Sequence, residues 1–271
     1  MLAVRRWPET TAVLASAGLL LAGCGGAAHL RSEPGATRPH RPAPLAVPPQ
    51  QAVRPSCRAE AAVGPRRAES YAALVRKDAV IRLSPGSGPI LARVGRIDVN
   101  GYPTVLGVVG ARRTPRACAP VAYRVQLPVP PNNRSGWISA GAVRVFTVTT
   151  RVVVDLPARR LVAYRAGEPV LRARVAIGSP QTPTPRGRYF VNERWLLASP
   201  DGPFGVAALG ISAHSDVLRN WVEGGPIALH GTNEPATIGQ AVSHGCIRLA
   251  NADMRRLLRL APAGTVVVIR G

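Results

Sequence analysis

The chain has 271 residues, enough for one large or two modest domains with real cores, and its 46% hydrophobic content fits a globular protein. A 4% aromatic fraction with 27 prolines and 27 glycines favours strands, turns and linkers over long helices. Net charge is +21, from 35 Lys and Arg against 14 Asp and Glu, which reflects either an anionic neighbour (lipid or an acidic polymer) or an Arg-rich source genome. No helix-turn-helix, zinc-finger or aromatic-basic RNA-binding pattern accompanies that charge, so no nucleic-acid partner is expected.

In chain order, Arg5 and Arg6 precede an apolar run from Thr11 to Cys24 that is too short to span a bilayer comfortably. The run closes in Leu21-Ala22-Gly23-Cys24. This resembles the lipobox of bacterial lipoproteins, which implies cleavage after residue 23 and lipidation of Cys24; the other reading is an ordinary signal peptide with an incidental cysteine. Acyl chains there would tether the chain to the outer face of the membrane, on the cell-wall side. Residues 24–56 are dense in proline and lack apolar periodicity, which predicts an extended spacer. His29 and His40 fall in it and read as solvated.

From 57 to 146, short apolar stretches are broken by Pro-Gly, Ser-Gly and Asn-Asn signals, which predicts a small all-β domain. Its end, with Arg134-Ser135-Gly136-Trp137-Ile138, resembles the closing strands of bacterial SH3-like domains, implying a small β-barrel in which Trp137 packs. From 147 to 271, RVVVDLPARRLVAYRAGEPVLRARVAIG reads as three strands with turns at Leu156-Pro157-Ala158 and Ala166-Gly167-Glu168. A Pro-rich loop, QTPTPRG, leads into another strand. Asn251 reads as the N-cap of a helix from about Ala252 to Leu260, which Pro262 and Gly264 stop before a final strand, TVVVIR. The expected architecture is mainly β, with one or two short helices in the second domain.

The four cysteines are Cys24, Cys57, Cys118 and Cys246. An exported chain meets oxidising conditions, so a free thiol needs a reason. With Cys24 acylated, Cys57 and Cys118 are the natural disulfide pair because both lie in one domain, and Cys246 is the odd thiol. A pairing that consumed Cys246 would remove a nucleophile, and the sequence leaves that open. A cysteine nucleophile needs a base and donors for an oxyanion. The candidate bases are His214, His230 and His244. His230 ends an apolar strand, PIALHG, at a rim position; His244 and Arg248 lie two residues either side of Cys246, so an extended segment puts all three on one face. Gly245 would let the backbone turn and present the Cys246 N–H.

HGTNEPATIGQAVSHGCIRLAN resembles the signature of the L,D-transpeptidase (YkuD-type) family: a His, a spacer, then Ser-His-Gly-Cys, an apolar residue and Asn or Arg. The resemblance extends over most of Thr147 to Gly271 and implies a β-sandwich-type catalytic domain. It implies an acyltransferase in which Cys246 attacks a peptidoglycan stem peptide, releases D-alanine and passes the thioester to a second stem in a 3→3 crosslink. His230 would be the base, oriented by a backbone carbonyl near Gly231, and the N–H groups of Gly245 and Cys246 would hold the oxyanion. Ser243 would be a supporting hydrogen bonder, and His244 either a catalytic or a local structural group. Arg248 would bind a substrate carboxylate and His214 would line the cleft, with Trp195 and Trp221 as packing or cleft-wall residues. No metal or cofactor is expected, and carbapenem-type β-lactams are expected to acylate Cys246. Transfer of the thioester to water, as in an L,D-carboxypeptidase, and a catalytically idle wall-binding lipoprotein are the alternatives.

Overall fold

The computed structural model describes residues 69–114, 119–218, 220 and 225–271. Cys24, Cys57, Cys118 and Trp221, and with them the lipidation and disulfide expectations, lie outside the described residues, as do the leader and the Pro-rich spacer.

The first part of the chain forms one seven-stranded sheet. Its strands are β1 (Ser70–Val75), β2 (Ala79–Ser84), β3 (Ser87–Val94), β4 (Val105–Arg113), β5 (Pro120–Gln126), β6 (Ser135–Ser139) and β7 (Val143–Val148). They lie in the order β3-β2-β6-β5-β4-β1-β7, and every pairing is antiparallel. A single 3-10 turn, Ala140–Ala142, follows the Gly-Trp-Ile strand. The sheet continues to Val148, two residues past the boundary read from the sequence, because Ser70 pairs with Val148.

The second part holds β8 (Thr150–Asp155), β9 (Arg160–Arg165), β10 (Glu168–Gly178), β11 (Gly187–Leu196), β12 (Ala207–His214), β13 (Pro226–His230), β14 (Ala241–Ser243), β15 (Ile247–Leu249), the helix α1 (Asn251–Leu260) and β16 (Val266–Arg270). The β9–β10 hairpin turns on Ala166 (φ 50) and Gly167 (φ 96) alone. Two successive positive φ values are what a tight hairpin matched to strand twist requires. The sheet order is β14-β10-β15-β13-β12-β11-β16-β8-β9, and β10 also pairs with β9. The long strand β10 joins β9 through Glu168–Arg174 and β15 through Val175–Ala176, so the sheet closes on itself.

Its interior is filled by alternating apolar residues, among them Leu161, Val175, Val191, Leu209, Leu229 and Ile247. The helix buries Met254, Leu257 and Leu258, a spacing of three and four residues that makes one apolar stripe. Its N-cap is Ala250, with no side-chain cap. Asn251, read from the sequence as the cap, is the first helical residue, and its side chain is engaged elsewhere.

The two parts share apolar packing. Phe190, on β11, is 1% exposed and lies in the core formed by Ala73, Leu106, Val108 and Ile138 of the first sheet. Its neighbours Tyr189 and Val191 point the other way, into the second core. Gly107 makes room for the ring: a Cβ there would sit 2.8 Å from Phe190 Cδ1. Polar contacts add to this. Gln126 Nε2 donates to Arg188 O at 2.7 Å, and Asn132 exchanges two 2.8 Å bonds with the backbone of His214.

Candidate active site

Strand register sets out the site. Residues directly paired across a sheet face the same side, and residues two apart on one strand share that side. Trp195 pairs with Ala208, Ala208 with His230, and His230 with Arg248, which makes one row across β11, β12, β13 and β15. Glu193 pairs with Gly210 and Gly210 with Ala228. The parallel register Leu229↔Ile247 carries Ala228 on to Cys246, and a hydrogen bond from the Ala228 backbone reaches that thiol. The second row is therefore Glu193, Gly210, Ala228, Cys246. His230 and Cys246 are diagonal neighbours on adjacent strands and the same face of the sheet, with backbones roughly 7–8 Å apart. Both line one cavity of about 430 Å³, together with His244, Arg248 and Ser243. The floor between Glu193 and Cys246 consists of Gly210 and Ala228, so it is low because those side chains are small.

The His230 ring is buried, and its Nδ1 lies 2.5 Å from Gly231 O. A carbonyl can only accept, so Nδ1 carries the proton and Nε2 is left as the acceptor. Phe204 packs edge-on against the ring, with centroids 4.8 Å apart at 64°. Burial pulls the His230 pKa down to about 4; the Gly231 hydrogen bond opposes this and the Arg248 cation adds to it. Burial also pushes the Cys246 thiol up, against the smaller pull of the Ala228 hydrogen bond and of Arg248. The resting pair is thus a neutral thiol beside a neutral imidazole. Among the described residues Cys246 is a free cysteine.

The loop around the thiol is tied down by Ser243, named above as a supporting hydrogen bonder, and by two threonines that the sequence did not single out. Ser243 Oγ donates to Cys246 O at 2.5 Å and accepts from Gly245 N at 3.1 Å. Thr182 Oγ1 donates to Ser243 O, and Thr184 Oγ1 donates to Gly245 O. The Pro-rich loop before β11 is therefore a brace for the Ser-His-Gly-Cys turn. Gly245 has φ +115, and a Cβ on it would sit 2.8 Å from Ile227 Cδ1, so the turn needs glycine for conformation and for space. The N–H of Gly245, expected to hold an oxyanion, is engaged with Ser243 Oγ because the turn folds back on that side chain.

On the histidine side, Asn251 Oδ1 accepts from Thr232 N at 3.0 Å and Val206 N at 3.3 Å. It pins the chain leaving His230 to the chain entering β12. That is why Asn251 does not cap its helix.

Arg248 lines the cavity and its Nη1 meets Glu234 Oε2 at 2.8 Å. His214 departs from expectation. It ends β12 four residues beyond Gly210, past an irregularity in register; its backbone bonds to the Asn132 side chain, and it is not among the residues that line the cavity. Burial lowers its pKa. Trp195 does line the cavity and stacks edge-on with Tyr102 of the first sheet, at 6.3 Å and 62°.

With this geometry in place, comparison with known proteins is informative. The L,D-transpeptidase catalytic domain (YkuD) profile matches residues 149–269. The L,D-transpeptidase YkuD described as putative in Bacillus licheniformis is 34% identical over 146 residues, covering 51% of this chain and 81% of that protein. Its Bacillus subtilis counterpart is 33% identical over 124 residues, covering 46% and 68%. Among solved structures, an L,D-transpeptidase from Mycobacterium smegmatis is 16% identical with a TM-score of 0.40, over 73% of this chain and 99% of that one. A crystal structure of Enterococcus faecium L,D-transpeptidase is 24% identical with a TM-score of 0.35, over 45% of this chain, which spans about half (49%) of its length. The chain belongs to the YkuD family of L,D-transpeptidases, a family of transferases.

Proposed function

We propose that this chain is a peptidoglycan L,D-transpeptidase that forms 3→3 crosslinks through a thioester on Cys246. The observation that carries the reading is the pair on adjacent strands: a thiol just before β15 that is free among the described residues, and a buried imidazole on β13 whose Nδ1–H is committed to Gly231 O. Because both groups rest neutral, His230 Nε2 takes the proton as Cys246 Sγ attacks the carbonyl of the L-centre diamino acid at position three. The carbonyl π electrons move to oxygen, and the backbone N–H of Cys246 donates to the oxyanion. Collapse breaks the peptide C–N bond, and His230 returns the proton to the departing D-alanine amine. The side-chain amine of a second stem then attacks the thioester. His230 takes its proton and delivers it to the leaving sulfur. Arg248 binds a stem carboxylate; its Nε is buried with no hydrogen-bond partner among the described residues, and its Nη1 is held by Glu234. The chain is exported and held at the outer membrane face by lipid on Cys24, with the first sheet as an SH3-like module between the spacer and the catalytic sheet.

The test is incubation with disaccharide-tetrapeptides and mass resolution of the products. Crosslinked dimer with D-alanine supports the reading; tripeptide with D-alanine reassigns the acceptor to water; no change in any stem removes the enzymatic reading. Full activity in Cys246→Ser would show that the nucleophile is another residue.

A further inference from the structure

The floor of the cavity is broken at one strand. Val191 pairs with Ile211 and Glu193 with Gly210, so Asn192 is an extra residue on β11 and forms a β-bulge. In a regular strand Asn192 and Glu193 would face opposite sides of the sheet. At the bulge both line the cavity, together with Trp195. The three side chains converge over Gly210: a Cβ there would lie 3.3 Å from Glu193 Cβ and 3.5 Å from both Asn192 Oδ1 and Trp195 Cη2. The two acidic and amide neighbours differ in how they are satisfied. Asp98 Oδ1 accepts from Asn100 N at 2.9 Å and Tyr102 N at 2.8 Å, and the turn so held brings Asn100 Nδ2 to 3.1 and 3.2 Å from the Glu193 carboxylate oxygens. Glu193 is thus engaged by the first sheet. Asn192 Oδ1 is buried and has no hydrogen-bond partner among the described residues. A buried carbonyl oxygen without a donor is destabilising, and a ligand N–H would relieve that.

We infer that Asn192 is a substrate-binding residue whose Oδ1 accepts a peptide N–H of the stem on the amino side of the attacked carbonyl. A carboxamide oxygen carries no net charge and has two acceptor positions, so it suits a neutral amide donor. By register Cys246 and Gly210 are two strand spacings apart, roughly 10 Å. The approach of sulfur to carbonyl and the hydrogen bond at Oδ1 take up about 3 Å each. What remains between the carbonyl carbon and the donor nitrogen is about 4 Å, close to one extended residue. A tetrapeptide attacked at its third residue has only the leaving D-alanine beyond the carbonyl, and the N–H of that residue belongs to the bond that breaks. The donor therefore belongs to one of the two peptide links that precede the carbonyl. The inference rests on the transpeptidase reading for the identity of the ligand as a stem peptide. It gives the stem a second fixed point along the floor, which decides which of its carbonyls meets the thiol.

The experiment is calorimetric titration of the full chain carrying Cys246→Ala with three tetrapeptide stems. One has every link as an amide, and each of the others has one of the two preceding links replaced by an ester, which exchanges the N–H for an oxygen. The expected result is that one ester stem binds about tenfold more weakly than the amide stem. Asn192→Leu, which keeps the volume, and Asn192→Ala are then placed in the same background. In both, the amide stem should weaken about tenfold and that ester stem should stay where it was, so that the difference between them closes. Equal binding of the three stems, binding of none, or an ester deficit that survives both Asn192 substitutions would overturn the inference. Turnover by the natural chain is read separately. An Asn192-dependent ester deficit without turnover removes the transpeptidase reading and keeps this one, and turnover with all three stems bound alike does the reverse.

Discussion

The Phe204 ring offers a direct way to test the electrostatics of the site. It is 47% exposed, yet it packs edge-on against the buried imidazole of His230, so it is the outer member of the shield over that ring. The His230 pKa falls from the ordinary 6.5 to about 4 mainly through burial. A base must be unprotonated to work, so the acid limb of acylation should lie near pH 4 in the natural chain. Phe204→Ala admits water and should move that limb up to about pH 5–6, because desolvation is the main cause of the depression. The same coupling acts on stability. The unfolded chain protonates this histidine below about pH 6.5 and the folded chain refuses the proton until about pH 4, so stability rises with pH through that window. Each pKa unit is worth about 1.4 kcal/mol, so the full gap amounts to about 3 kcal/mol lost on acidification. Phe204→Ala should lose less over the same range. The assay is the rate of Cys246 acylation by a carbapenem from pH 3.5 upward, read by intact mass, with urea melts of both chains at each end of the range. An acid limb near 6.5 in the natural chain, or an unmoved limb in Phe204→Ala, would refute the reasoning.

Two further substitutions probe the supports of the site. Asn251→Ala strands the N–H groups of Thr232 and Val206, and two stranded donors of that kind cost about 2–6 kcal/mol; denaturant unfolding should show that loss and the acylation rate should drop with it, whereas an unchanged melt would mean that the loop does not depend on the amide. Phe190→Ala empties a fully buried ring site between the sheets and should cost about 3–5 kcal/mol, with a destabilisation below 1 kcal/mol showing that the sheets do not share that core.

The second sheet was largely legible in the sequence because its strands alternate sharply and its turns carry their own chemistry. Ala166-Gly167 and the β-branched run before it gave β8 to β10 almost to the residue. The thiol and the imidazole were legible for another reason: Ser-His-Gly-Cys and Leu-His-Gly are short local patterns. What escaped was long-range. Asn251 is an apt helix cap by local rules, but its amide is drawn to Thr232, 19 positions away, where two buried N–H groups need an acceptor. Thr182 and Thr184 looked like ordinary members of a Pro-rich loop until the fold set them under Ser243 and Gly245, 61 positions on. Phe204 and the Asn100–Glu193 contact carry no pattern at all, since each matters only through a partner brought close by the sheets. His214 lies past a register irregularity at the end of β12 and is not among the residues lining the cavity, which no local pattern signals.

The alternation along β11 also bears on how this molecule can be dissected. A fragment started at Thr149 keeps every residue of the closed sheet but leaves the Phe190 ring, with no Leu106 or Ile138 to cover it, as a sticky spot on its outer surface. Such a fragment should self-associate through that spot, and trimming the ring to a polar side chain in the fragment alone should restore a single soluble species.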